Sequence, residues 1–385
     1  MRLTADHPVI AALLTTLLLL GGCASSFTSP FSEEQSQLYL QEVLSFSNTL
    51  PAVDMLALTD EMKAALSEAV PQNLTPAQRL TAVREFLFSE DGLNIQYHAD
   101  LTKTAAETWQ SRAGNCLSMT NLFVAAARNV GLPASYQTVQ VEPIWNQEGA
   151  TMIRYEHIVA TGRLPGANRY VVDFLPEFVL GDYESEPASD NVAFALYYSN
   201  LGAEDLVDGN TERALQYLTE SLRLNPQSTD AWSNIGAAFR RSGEIRLAEF
   251  SYHQALMLDG RNFSALNNLA ALYLHQGRRE DARKVEAQVA RYRRRNPYYH
   301  YFLANGFYER GRYDEALMLL EASVRLKKDE PEFYLAMART YARQGDEASE
   351  QKMLAKADFY RHQTLPVPQR ENNHRFWNDI VELQY

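Results

Sequence analysis

The chain has 385 residues, 46% of them hydrophobic and 22% charged, a balance that fits a globular protein long enough for two or three domains. Its 48 acids against 36 bases leave a formal charge of −12, which excludes a general nucleic-acid binder, because such proteins cluster surplus Lys and Arg. Eight scattered histidines and two cysteines form no ligand cluster, so neither a metal nor another cofactor is expected.

The N-terminus reads as targeting. Arg2 supplies a thin positive end, weakened by Asp6, and Val9 to Leu20 is an apolar run too short to span a bilayer as a helix. Leu20-Gly21-Gly22-Cys23 then resembles the bacterial lipobox. The resemblance implies removal of residues 1–22, lipidation of Cys23, and a membrane reached through that lipid. Ala24 stands where an Asp commonly retains lipoproteins in the inner membrane, so the expected location is the outer membrane, facing the periplasm. With Cys23 lipidated, Cys116 is the one free thiol in an oxidising compartment.

Residues 23–35, rich in Ser, Thr and Pro, read as a tether, and a domain is expected over 36–185. Within it, Thr75-Pro76-Ala77-Gln78 is a capping box with Pro in the first turn of a helix reaching about Phe88. Leu93 to His98 looks extended, and Thr104 with Glu107 opens a short helical turn. From Cys116, the spacing of Leu117, Leu122, Phe123, Ala126, Ala127 and Val130 predicts a helix that Gly131 and Pro133 end. Extended stretches follow at about 134–142, 152–161 and 169–175. Helices followed by an antiparallel meander make this an α+β domain.

From 195 to 361 the pattern changes. Gly209, Gly243, Gly277, Gly311 and Gly345 recur every 34 residues without an insertion. Seven positions earlier stand Gly202, Gly236, Ala270, Ala304 and Ala338; five positions later stand Ala214, Ala248, Ala282, Ala316 and then Glu350. Small residues let paired helices approach closely. The period and the unit Trp232 through Gly236, Phe239, Ala248, Tyr252 and Ala255 resemble the tetratricopeptide repeat, which implies an all-α solenoid of five units. Glu350 makes the last unit irregular, and residues 362–385, with Phe376, Trp377, Ile380 and Val381, are expected to cap the array.

Chemistry gathers around Cys116. A nucleophilic cysteine needs a base, an orienter for that base, and donors for an oxyanion. Cys116 follows Gly114 and Asn115 at the start of its helix, where unsatisfied amides and the dipole favour a negative sulfur. His157 and Asp173 fall in consecutive strands, and a hairpin symmetric about Pro165 sets them directly opposite each other, on one face. Taken singly, each of these residues is more readily structural; their order and placement carry the catalytic reading.

Arg112 to Tyr136 resembles the active-site helix of the transglutaminase-like superfamily: a glycine shortly before the cysteine, an apolar helix, and an ending met by Arg128, Gly131, Leu132, Pro133 and Ala134. His157-Ile158-Val159 matches the family's histidine, while Val172-Asp173-Phe174-Leu175-Pro176 departs by placing two residues between aspartate and proline. The resemblance implies a papain-type triad of Cys116, His157 and Asp173, which forms an acyl-enzyme from an amide and passes it to an amine or water. Cys116 would supply one oxyanion donor from its backbone, and Gln110 or Trp109 the second.

Tetratricopeptide arrays resemble one another in binding extended segments along the face lined by the first helix of each unit. Arg240, Arg241, Asn267, Tyr301, Asn305, Arg339 and Arg343 occupy that register and are expected to meet a protein or peptide partner, whereas Arg291 to Arg295 reads as a solvated turn. The leading expectation is a membrane-anchored periplasmic cysteine peptidase, amidase or acyltransferase whose repeats recruit a partner. The alternatives are a noncatalytic scaffold lipoprotein of the cell envelope and a structural lipoprotein that binds cell-wall peptide stems.

Overall fold

A computed structural model describes residues 29–47, 50, 53–98, 101–139, 146–148, 151–153, 157–165, 169–174 and 185–363, of which 47, 146–148, 151–153, 291–293 and 362–363 are described by backbone alone. Cys23 lies outside these residues, as does the proposed capping segment beyond its first two residues, 362 and 363, which belong to the last described helix.

In chain order the elements are α1 (Glu33–Leu44), α2 (Asp60–Ala69), α3 (Pro76–Phe88), β1 (Gln96–Tyr97), α4 (Ala105–Ser111), β2 (Ala113–Gly114), α5 (Cys116–Asn129) and β3 (Ser135–Val139). There follow β4 (Asn146–Glu148), β5 (Thr151–Ile153), β6 (His157–Arg163), β7 (Arg169–Val172) and β8 (Ser185–Ala188). Ten helices complete the described chain: α6 (Asp190–Asp208), α7 (Thr211–Leu224), α8 (Thr229–Ser242), α9 (Ile245–Leu258), α10 (Phe263–His275), α11 (Arg279–Arg293), α12 (Pro297–Glu309), α13 (Tyr313–Leu326), α14 (Pro331–Gln344) and α15 (Glu347–Gln363). By contact density the chain forms two compact units, one of residues up to Thr59, His98–Ala125 and Ala188–Glu286, the other of Asp60–Tyr97, Ala126–Pro187 and Ala287 onward.

The first unit holds the opening repeats. α6 pairs with α7 and α8 with α9, and each pair closes on a glycine whose backbone a side chain would strain: Gly209 and Gly243 lie at φ 84° and 87°. The remaining members of the 34-residue series share the same left-handed region. The small residue seven positions earlier has a different cause. A Cβ on Gly236 would fall 2.6 Å from the ring of Tyr252, which is fully buried, so the two helices of that pair meet backbone to ring.

The tether reading is corrected at its C-terminal end. Ser32 caps α1 in a capping box with Gln35, and Phe31 packs edge-on against Phe250 and His253, with ring centroids at 5.6 and 5.8 Å. α1 lies against α7 and α9, and Thr219 of α7 donates to the Val43 carbonyl. Phe31 and the apolar residues Leu40 and Val43 give this segment a face to bury, which a compositional reading of Ser, Thr and Pro passes over.

In the second unit, α3 carries the expected Thr75 capping box with Pro in its first turn. The sheet order is β7-β6-β3-β8, with β3, β6 and β7 successively antiparallel; β8 was not foreseen, and β4 and β5 pair separately. Tyr170 ties the sheet to the chain leaving α5, donating to the Pro133 carbonyl at 2.6 Å, while Gly162 leaves room for that approach. α12 with α13 and α14 with α15 form the later repeat pairs. The last unit is regular despite Glu350, because Met353 and Ala357 supply the buried face of α15 and Glu350 stays half-exposed.

Candidate functional site

Asn115 builds the N-terminus that carries Cys116. Its backbone N–H donates to the Leu101 carbonyl at 2.9 Å, and its side-chain amide donates to Thr102 Oγ1 at 2.8 Å. Its Oδ1 accepts from the Ser118 backbone N–H at 2.9 Å and from the Ser118 hydroxyl at 2.8 Å, which is the geometry of a helix cap. Gly114 is obligatory beside it, since a Cβ there would lie 2.7 Å from Ser118 Cβ. Cys116 is therefore the first residue of α5 and half-buried. The capping role of Asn115 was missed in the sequence, although an Asn before a helix with Ser three positions on is a readable signal.

Neither proposed side-chain oxyanion donor gains support from its surroundings. Both lie on α4; Trp109 is half-buried, whereas Gln110 is exposed and its side chain makes no hydrogen bond among the described residues.

His157 and Asp173 are brought together. His157 opens β6 and pairs with Val139 of β3; Asp173 follows the last residue of β7. Nε2 of His157 lies 2.8 Å from Oδ1 of Asp173, and the side chains are 3% and 8% exposed. The register differs from one centred on Pro165. Ala160 pairs with Val172 and Thr161 with Val171, so continuing the ladder sets Asp173 opposite Val159 and makes its contact with His157 diagonal. The pairing is centred on position 166 rather than 165, an offset that keeps both residues on one face.

The residues that end α5 hold its connection to the sheet. Arg128 Nε donates to the Ala134 carbonyl, Arg79 donates to the Val130 carbonyl at 2.7 Å, and Gly131 takes φ 75°. Burial raises the Tyr170 phenol well above its ordinary range, so that group acts as a fixed donor to Pro133 rather than as a base. Among the described residues no group of three or more His, Cys, Asp or Glu is arranged to hold a metal ion.

In the repeats the partner residues divide. Arg339 of α14 donates to Asn305 Oδ1 of α12 at 3.1 Å and stacks its guanidinium 4.8 Å from the Tyr308 ring. Arg343 donates to the Tyr308 hydroxyl at 3.3 Å. Tyr301 is half-buried, 5.4 Å from the Phe333 ring. Arg240 is exposed and Asn267 half-buried. Arg241 donates to the Leu206 carbonyl near the end of α6, which also accepts from the Gly209 N–H at 3.3 Å, so part of its guanidinium is engaged within the array. Arg294 and Arg295 are exposed just beyond α11, in the turn expected of them.

Residues 64–172 match the family model of the transglutaminase-like superfamily, and residues 239–306 and 304–345 match models of the tetratricopeptide repeat. The chain is thus a transglutaminase-like domain followed by tetratricopeptide repeats. It is 33% identical over 144 residues to the type IV pilus assembly protein PilF of Pseudomonas aeruginosa, spanning 37% of this chain and 57% of that protein. It is also 33% identical over 66 residues to superkiller protein 3 of Schizosaccharomyces pombe, spanning 17% of this chain and 5% of that protein. The chain therefore spans less than two thirds of either relative. MamA from Desulfovibrio magneticus RS-1 is similar at 19% identity and a TM-score of 0.26, over 46% of this chain and 97% of that one.

Proposed function

We propose that this protein is a membrane-anchored periplasmic cysteine amidase, peptidase or acyltransferase that works through Cys116, His157 and Asp173, with a partner recruited by its repeats. The observation that carries the reading is the buried contact between His157 Nε2 and Asp173 Oδ1. A carboxylate on Nε2 fixes the imidazole's tautomer and orientation and makes Nδ1 the nitrogen that exchanges a proton with the reacting groups.

On this reading His157 Nδ1 takes the Cys116 proton, and the sulfur attacks the amide carbonyl. The carbonyl electrons move to oxygen, where the Cys116 backbone N–H, at the start of α5, is placed to donate. Collapse expels the amine with the proton from His157 and leaves a thioester. Water or a second amine, deprotonated by the same nitrogen, then releases the acyl group. Asp173 stabilises the imidazolium.

The anchor rests on Cys23 and its lipobox-like flank. Recruitment rests on the cluster of Asn305, Tyr308, Arg339 and Arg343. A second reading, a noncatalytic scaffold of the cell envelope, draws on the likeness to a pilus assembly protein. An amide-mimetic electrophile added at neutral pH in competition with an inert alkylator separates the two. The catalytic reading expects Cys116 to be labelled by the electrophile and labelling to fall away in His157→Ala. Labelling only after denaturation, indifferent to His157, leaves the scaffold.

A further inference from the structure

Cys116 stands where three segments of the first unit meet: the loop 101–104, the end of α4 with β2, and the first turn of α5. The loop holds the turn that carries the cysteine. The Leu101 carbonyl accepts from the Asn115 N–H at 2.9 Å, Thr102 Oγ1 from the Asn115 amide at 2.8 Å, and the Lys103 N–H donates to Ser118 Oγ at 2.8 Å. Lys103 also reaches the other way. Its ammonium donates to Ser111 Oγ at 2.9 Å, at the last residue of α4, and to the Ala113 carbonyl at 3.3 Å, in β2.

Between those two acceptors lies Arg112, in the left-handed region at φ 52° and ψ 32°. That conformation is unfavourable for any residue with a Cβ and persists where its surroundings over-determine it. The ammonium grips the residues on either side of the strained one and supplies that constraint. Both acceptors are neutral, and no carboxylate among the described residues pairs with Lys103. Glu107, the acid of α4, is engaged by the Thr104 cap. A charged donor holds neutral oxygens more firmly than a neutral donor does. The competing account is structural: a cation beside the last residue of a helix is favourable for its dipole alone.

We infer that Lys103 is a positioning residue for the proposed reaction. By fixing the left-handed turn at Arg112 it sets the chain that enters Asn115, and so aims the Cys116 backbone N–H at the oxygen of the reacting carbonyl. This inference rests on the proposed amide chemistry of Cys116 and concerns its oxyanion step. With neither Trp109 nor Gln110 supported as a donor, the direction of that N–H carries more of the step.

The test uses the full chain and two probes of Cys116, each followed by peptide mass. With the p-nitrophenyl ester of N-acetylglycine the sulfur adds to the carbonyl, charge builds on its oxygen, and p-nitrophenolate departs to leave a thioester. With iodoacetamide the sulfur displaces iodide and no oxyanion forms. In Lys103→Met the ester should react about tenfold more slowly while alkylation stays within about twofold, short of the 10²–10³-fold cost of deleting an oxyanion donor because this one is displaced, not removed. Lys103→Arg, which keeps the charge, should recover most of the ratio. Ser111→Ala removes one acceptor at an exposed position and should slow the ester by about threefold, the scale of one neutral hydrogen bond, which decides the matter if Lys103→Met folds poorly. A native preference for the ester that survives in these variants, or a fall in both rates together, overturns the inference and leaves Lys103 a helix-end cation. If the native protein favours the ester over iodoacetamide no more than free cysteine does, no oxyanion donor is at work, and the amide reading falls together with this inference.

Discussion

His157 Nε2 lies 2.8 Å from Asp173 Oδ1 across a strand pair, and the contact is diagonal because the ladder runs Ala160 to Val172 and Thr161 to Val171. Asp173→Asn keeps the shape and removes the charge, so His157 loses both its fixed tautomer and its counter-ion. Labelling of Cys116 by an amide-mimetic electrophile should slow by about 10²-fold in Asp173→Asn and more in His157→Ala, on the scale of general acid–base catalysis at 10²–10⁴-fold. Rates equal to the native protein in both variants would remove the pair from the chemistry.

Asn115 is expected to matter through the helix it caps. Asn115→Ala deletes the acceptor of the Ser118 N–H and strands Thr102 Oγ1 in a buried position. Loss of such a cap costs about 1 kcal/mol. Urea unfolding should register that loss, and electrophile labelling of Cys116 should slow beyond it, since the amide of Cys116 is set by this turn. Asn115→Asp keeps the cap acceptor and should recover most of the stability.

What the sequence made legible depended on how local each cause is. A glycine at φ 84° or 87° answers to its own backbone, so the 34-residue series could be counted directly. Thr75 and Gln78 close a box within four residues and were equally readable. The face shared by His157 and Asp173 followed from strand parity, but the register did not, because the pairing is centred on position 166 and not on Pro165. Partners distant in sequence stayed hidden: Leu101 and Thr102 hold Asn115, β8 joins the sheet beside β3, and Phe31 finds Phe250 across more than two hundred residues.

The glycines of the second repeat should respond differently to alanine. At Gly236 the new methyl meets the Tyr252 ring, which is buried and unable to yield, and overpacking of this kind costs about 1–3 kcal/mol. At Gly243 nothing lies within 4 Å, so only the left-handed backbone is penalised, at about 1–2 kcal/mol. Thermal unfolding of the two variants should therefore separate steric from conformational cost, and adding Tyr252→Phe, which keeps the ring, should not rescue Gly236→Ala.

Burial holds His253 down at about 4, beside Tyr273, whose hydroxyl is 3.0 Å from Nε2, with Glu249 and Arg278 acting in opposite directions. The folded state therefore binds this proton less readily than the unfolded chain, whose histidine titrates near 6.5. Its contribution is fully present above pH 6.5 and is lost as pH falls toward 4. Between pH 7 and pH 5 the repeats should lose about 2 kcal/mol from this group. In His253→Gln that part of the slope should vanish. Denaturant midpoints that fall equally in both proteins would assign the pH response to other groups.

Arg339 and Arg343 carry the last prediction. Their guanidinium groups rest on Asn305 and Tyr308, neutral partners that orient the charge without cancelling it. An acidic peptide docking on this surface gains Coulomb attraction that salt screens within about 10 Å at 0.1 M. The double variant Arg339→Glu, Arg343→Glu should weaken such a peptide by at least tenfold at 50 mM salt, and native affinity should fall as salt rises to 0.5 M. Both residues are exposed, so the substitutions leave the buried face of α14, built on Phe333, Tyr334 and Met337, in place. Unfolding midpoints should accordingly change little. Binding that is equal in the two proteins and insensitive to salt would mean that the cluster only stiffens the seam between α12 and α14, and that any partner docks elsewhere on the array.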